Sequence, residues 1–114
     1  MLNADELKML DSIQDEIKSA EEVLRTKEAK FNEMLKPVMD EVVNIYEMLE
    51  AQEKYLNDEG AKERSRRERF LLYECGIKLK RKNLDSKILI NIQKEIKDIM
   101  GRYQDEQERI EGHK

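Results

Sequence analysis

The chain has 114 residues, of which 42% are charged, 39% hydrophobic and 5% aromatic, and its mean hydropathy is −0.87. One cysteine excludes a disulfide-stapled fold and multi-cysteine zinc motifs, and four glycines and one proline are too few for a many-turned β-barrel or sandwich. No apolar run approaches the roughly 18 residues of a membrane span, and the acidic N-terminus has no apolar signal core. We therefore expect one helical domain over residues 1–114, located in the cytoplasm and making no membrane contact.

Acidic and basic residues are distributed unevenly along the chain. Residues 1–60 hold 16 acids and 7 bases, a net charge of −9, whereas residues 61–87 hold 4 acids and 10 bases, a net charge of +6. The basic segment has two interpretations. It offsets the acidic first half across a contact between helices, or it attracts an anion or an acidic partner.

An apolar residue recurs every seven positions in the first half of the chain. The repeat consists of Leu10, Ile17, Leu24, Phe31, Val38 and Ile45. One further position in each repeat is also apolar, namely Ile13, Ala20, Met34 and Met48, with Lys27 and Glu41 as the exceptions. This period is typical of a coiled-coil helix. From Leu35 to Leu56 a second phase takes over, nearer the 3.6-residue period of a straight helix.

Asn3 followed by Glu6 predicts the start of this helix, because the two side chains can cap each other's backbone amides. Pro37 interrupts the pattern, since proline removes a helical hydrogen bond and disfavours helical angles at the preceding residue. Either one helix spans about residues 4–56 with a kink near Pro37, or one helix ends near Leu35 and Pro37 begins the next. We favour the continuous helix, because no residue nearby is suited to a reversing loop.

The clearest break in the chain is the turn at residues 57–60, Asn-Asp-Glu-Gly. Such a turn makes two long helices antiparallel neighbours, with a second arm over about residues 61–110. The predicted fold is all-α, a long antiparallel helical hairpin of coiled-coil type. Further folding within the chain, or dimerisation, makes it a four-helix bundle. An unbroken second arm places Leu24 near Ile92 and Ile17 near Ile99.

Two features weaken the second arm. Gly76 can end a helix, and the alternating residues that follow it allow a β-hairpin over residues 77–90. Otherwise Asp85 or Ser86 caps a last helix that runs to about Ile110.

Residues 38–49 and 70–79 carry more apolar side chains than the seam of a two-helix hairpin needs. They face each other in the hairpin and form an apolar waist that one partner helix cannot cover. A folded-back segment of the chain, a second copy or a different protein would cover it. We favour a second copy and expect a homo-oligomer, with a dimer preferred, that also binds protein partners. The predicted interface residues are Met39, Val43, Tyr46, Met48, Leu71, Tyr73 and Leu79.

The sequence offers little for catalysis or metal binding. The one histidine, His113, cannot supply the two Glu-x-x-His pairs of a di-metal bundle, and we expect it in a frayed tail. Cys75 lies in the waist and is expected to be a small buried hydrophobe rather than a reactive thiol. The scattered glycines form no phosphate-binding loop. We therefore expect no enzyme activity, no metal and no cofactor.

The favoured function is that of a non-enzymatic helical interaction protein, such as an adaptor, scaffold, inhibitor or chaperone-like protein. The alternative is a nucleic-acid-associated regulator that uses the basic segment 62–82 to contact phosphates. Its contact residues would be Arg64, Arg66, Arg67, Arg69, Lys78, Lys80, Arg81 and Lys82. The sequence has no helix-turn-helix pattern and no aromatic stacking platform, so nucleic acid is not the favoured partner.

Overall fold

The computed structural model describes residues 1–112, which contain three α-helices. Helix α1 spans Ala4–Glu53, α2 spans Glu59–Leu79 and α3 spans Ser86–Gly112. No strand occurs within these described residues. The all-α prediction is confirmed, and the β-hairpin alternative for residues 77–90 is excluded because both flanks of that segment are helical.

The predicted start of α1 is confirmed. The Glu6 amide donates a hydrogen bond to Asn3 Oδ1 over 2.8 Å, and the Asn3 amide donates to Glu6 Oε1 over 3.4 Å. The two residues therefore cap each other. Pro37 lies inside α1, so the continuous helix is also confirmed, although it ends at Glu53 rather than near Leu56.

The predicted turn at residues 57–60 overlaps the observed start of α2. Asp58 has extended backbone angles and its carboxylate accepts a hydrogen bond from the Gly60 amide over 3.1 Å, which caps α2. Gly76 does not end a helix. It lies within α2, whose C-terminal cap is Lys80.

The predicted second arm, residues 61–110, is interrupted in the structure. Helix α2 ends at Leu79, and α3 begins at Ser86. The reason is local, because residues 80–83 are Lys-Arg-Lys-Asn and offer no apolar side chain to hold a continuing helix against the core. Asp85 then caps a new helix, accepting a hydrogen bond from the Ile88 amide over 2.8 Å. The predicted cap at Asp85 is thus confirmed, while the unbroken arm is not.

The single domain over residues 1–114 stays a prediction, and the structure describes two units, Met1–Leu35 and a unit that begins at Lys36. In the second unit, the C-terminal part of α1 packs with α2 and α3 as an up-down-up three-helix bundle. The Ser65 hydroxyl donates to the Leu49 carbonyl over 3.4 Å, which joins α2 to α1. The Gln52 amide donates to the Tyr103 carbonyl over 3.1 Å, which joins α1 to α3.

The bundle core is built from one apolar stripe on each helix and from Leu56 in the loop between α1 and α2. Its buried hydrophobic members include Val42, Ile45, Leu49, Leu56, Ala61, Leu72, Cys75, Leu79, Ile92, Ile96 and Ile99. The second apolar phase of α1 is therefore the phase that is buried. Ile92 and Ile99, which the sequence was expected to place near Leu24 and Ile17, are buried in the core of the second unit.

The first unit is part of a single helix, α1. We call its helical residues 4–35 the arm, which is distinct from the predicted second arm over residues 61–110. Residues 1–34 are all exposed. They include the first apolar phase, in which Leu10 is 45% and Leu24 57% exposed. The coiled-coil pattern of the arm is thus present, and nothing in its own unit covers it.

We predict that Asp85→Ala lowers the free energy of unfolding by about 1 kcal/mol, because it removes the side-chain acceptor that caps α3. Urea denaturation followed by circular dichroism measures this change. Asp85→Asn is the matched control, since asparagine keeps the acceptor and should retain most of the stability. An Asp85→Ala protein as stable as the wild type would contradict the capping role.

Candidate functional site

Helix α3 covers most of the predicted apolar waist within one chain. Ile45, Leu49 and Leu72 are each at most 1% exposed. Leu79, a predicted interface residue, is only 3% exposed, so it belongs to the core and is not available to a partner. The prediction for Leu79 is therefore corrected, because its position on α2 matches the buried phase of that helix.

Part of the waist remains exposed on the side of α1 and α2. We call this surface the central face, and its members are Met39, Val43 and Tyr46 on α1 and Phe70, Tyr73 and Ile77 on α2. Val43 is 50% exposed, and Phe70 and Tyr73 are about 60% exposed. Ile77 is also exposed, whereas Met39 and Tyr46 are half-buried.

The two stripes of the central face adjoin each other. Phe70, Tyr73 and Ile77 follow Arg66 at helical spacing, so all four share one side of α2. Tyr46 lies seven residues before Glu53 and shares one side of α1 with it. Arg66 Nε donates to Glu53 Oε1 over 3.1 Å, which joins the two stripes at one end.

Other predicted interface residues lie elsewhere on the bundle. Leu71 lines a cleft between α2 and α3. Met48 is half-buried and lies one turn before Gln52, which contacts α3. Of the seven predicted residues, the structure brings four together on the central face, namely Met39, Val43, Tyr46 and Tyr73. Phe70 and Ile77 were missed, although their spacing from Tyr73 could have identified them.

The predicted basic residues do not form one continuous stripe. Arg66 and Arg69 both pair with the carboxylate of Glu53, and the Arg69 side chain is only 17% exposed. Arg64 and Arg67 are exposed near the start of α2. The other four, Lys78, Lys80, Arg81 and Lys82, are exposed near its end and in the following turn.

Cys75 is buried beside the cleft between α2 and α3, which has a volume of about 260 Å³. Burial raises the pKa of the Cys75 thiol above its ordinary value, and the nearby Glu95 carboxylate raises it further. Lys78 acts in the opposite direction but contributes less. Both effects favour the protonated thiol over the thiolate, and the buried position agrees with the expectation of a small buried hydrophobe.

Among residues 1–112, no group of three or more histidine, cysteine, aspartate or glutamate side chains is placed to hold a metal ion. In the same residues, no helix combines the length and apolar character needed to cross a membrane. His113, for which we expected a frayed tail, lies outside the described residues.

Comparisons with known protein families, with curated proteins and with solved structures find no significant match to this chain. The function is therefore inferred from the side chains of the chain itself, above all from the central face.

We predict that Cys75 of the native protein at pH 8 reacts with a thiol reagent more slowly than in urea, because the side chain is buried and because the reagent attacks the thiolate. The raised pKa lowers the thiolate fraction of the folded protein. Equal rates in the folded and the unfolded protein would show that Cys75 is accessible and would reopen the question of thiol chemistry.

Proposed function

We propose that this protein is a non-enzymatic helical interaction protein of the adaptor or scaffold type, and that a second copy packs on its central face. The observation that carries the proposal is the set of large apolar side chains left exposed on α1 and α2 after α3 has covered the rest of the waist. A free, buried Cys75 fits a reducing compartment, and the proposal keeps the cytoplasmic location expected from the sequence.

The chemistry of the central face supports protein binding. Met39 provides a flexible apolar surface that adapts to a partner. Tyr46 and Tyr73 combine a large apolar ring with a hydroxyl that can form a hydrogen bond at the edge of an interface. Contiguous apolar residues of this kind on a folded surface favour contact with another protein over exposure to water.

The charges around the central face favour a second copy as the occupant. Glu47 and Glu50 are exposed on α1, and Arg67 is exposed on α2. A two-fold axis that lies in the contact and runs parallel to the helices places α1 of each copy against α2 of the other. Acidic and basic side chains then meet on both sides of the contact, which orients the two copies.

We predict that Val43→Asp lowers the mass of the protein in solution, because it places a charge in the middle of the central face. Multi-angle light scattering over a concentration series measures the mass. Asn44→Asp is the matched control, since it adds the same charge at an exposed neighbouring position outside the face. If Val43→Asp and the wild type have the same mass at every concentration, the central face does not mediate self-association.

A second candidate function is binding of nucleic acid at the turn between α2 and α3. The observation that favours it is the group of exposed basic side chains in this region, Lys80, Arg81, Lys82 and Lys87, which has Asp85 as its one acidic neighbour in the sequence. Basic side chains that are free of acidic partners can replace the counterions of phosphates. Arg66 and Arg69 are less suited to this role because Glu53 already pairs with both.

If this second candidate is correct, Arg81→Glu/Lys82→Glu abolishes a mobility shift of duplex or single-stranded DNA that the wild type produces at low salt. The shift should weaken steeply as the salt concentration rises, because counterion release drives the binding. Lys8→Glu/Lys18→Glu is the control, since it makes the same charge change at exposed residues outside the predicted basic segment. A wild-type protein that gives no shift at low salt would remove nucleic acid from consideration.

A further inference from the structure

The arm is a helix with an exposed apolar stripe and no partner in its own unit. Leu10, Ile17, Leu24 and Phe31 occupy every seventh position, and each is exposed by 42% or more. Most of the stability of helices in proteins comes from packing of their apolar face rather than from the intrinsic preferences of their residues. The arm therefore needs a helix against it, and its own charges indicate which helix fits.

A parallel pairing of two arms in register is unfavourable. If Leu10 is assigned to heptad position a, Lys27 falls at a core d position, where it would face Lys27 of a second copy. The flanking positions have the same defect, since Glu16 of one arm would lie beside Glu21 of the other. Like charges in the core and at the flanks both oppose this orientation.

An antiparallel pairing removes these contacts. We place a two-fold axis across the pair at the level of residue 22. In this register Leu10 faces Met34, Ile13 faces Phe31 and Ala20 faces Leu24. Lys27 then lies opposite Ile17 instead of a second lysine, beside the flanking glutamates of the other copy.

The flanking positions also agree with the antiparallel register. Glu16 of one arm lies next to Lys30 of the other, and this favourable contact occurs twice because of the two-fold symmetry. Val23, an apolar residue outside the core positions and 54% exposed, faces its own copy near the axis. The one like-charge contact that remains is Glu21 against Glu21.

We propose that the arm is an antiparallel dimerisation element whose partner is the arm of a second copy, with Leu10–Met34 as the seam. This is a second surface, separate from the central face, and it forms whether or not the central face self-associates. Its partner is specified by the positions of Lys27, Glu16 and Lys30, which suit a copy of the same sequence in the opposite direction.

The mass test is made in the Val43→Asp protein, in which the central face is disabled. That protein should be a dimer, and adding Leu24→Asp should convert it to a monomer of half the mass with a lower helix content by circular dichroism. Adding Thr26→Asp is the matched control, because Thr26 lies outside the seam and the change adds the same charge. This control should leave the dimer intact.

The direction of pairing is tested with single spin labels in a protein that carries Val43→Asp and Cys75→Ala. The antiparallel register separates the two copies of a label at Ser12→Cys by about 30 Å along the axis, and those at Ser19→Cys by about 9 Å. A parallel dimer instead gives the same short distance at both positions. Double electron–electron resonance and continuous-wave broadening cover these two ranges.

The outcomes separate this inference from the proposed function. A Val43→Asp protein that is monomeric where the wild type is dimeric overturns the arm dimer and supports the central face. If the Val43→Asp protein has the wild-type mass and adding Leu24→Asp makes it monomeric, dimerisation occurs through the arm. Self-association through the central face is then overturned. Equal, short label distances at positions 12 and 19 overturn the antiparallel register. A Val43→Asp dimer that persists after Leu24→Asp is added shows that the dimer does not form through the arm.

Discussion

The packing of α3 against the seam between α1 and α2 is the interaction on which the rest of the bundle depends. Ile92, Ile96 and Ile99 are each at most 2% exposed, and a side chain of this size contributes about 1.5–3 kcal/mol when it is buried. Without α3, the apolar side chains of two helices would face water together. Because α3 covers only one side of the pair, it also determines which apolar residues remain exposed, and these are the residues of the central face.

Polar contacts fix how the three helices are aligned. Glu53 binds Arg66 and Arg69 between α1 and α2, whereas Glu68, only 8% exposed in its side chain, binds Arg102 between α2 and α3. A partly buried charge that loses its partner is strongly unfavourable, so a shift of one helix along another would be costly. These contacts therefore do more than add stability. They hold the stripe that begins at Phe70 beside the stripe of α1 that contains Tyr46.

Local sequence signals predict where most of the helices begin and end. Which apolar residues are buried depends instead on tertiary packing. The caps at Asn3 and Asp85 are visible because short polar side chains precede apolar periodic segments. The apolar phase continues through Pro37, and this continuity indicates that the helix is not interrupted there. The turn after Leu79 was harder to identify, as it contains neither glycine nor proline. Spacing on α2 groups Leu79 with Leu72 and Phe70 with Tyr73, but it does not show which of these two sides of the helix α3 covers.

The two proposed surfaces have a joint consequence for assembly. A chain with one two-fold contact forms a closed dimer, in which the contact surface of each copy is occupied by the other. A chain with two different two-fold contacts, one at the central face and one along the arm, has two neighbours for each copy. It therefore assembles beyond the dimer, either into a closed tetramer or into an open chain. Such a protein could link other molecules at regular intervals.

The acidic charge of residues 1–60 would limit assembly beyond the dimer at low ionic strength, because like charges on neighbouring copies repel and salt screens that repulsion. Assembly that becomes larger as salt increases would thus distinguish apolar contacts of this kind from contacts that depend mainly on ion pairs.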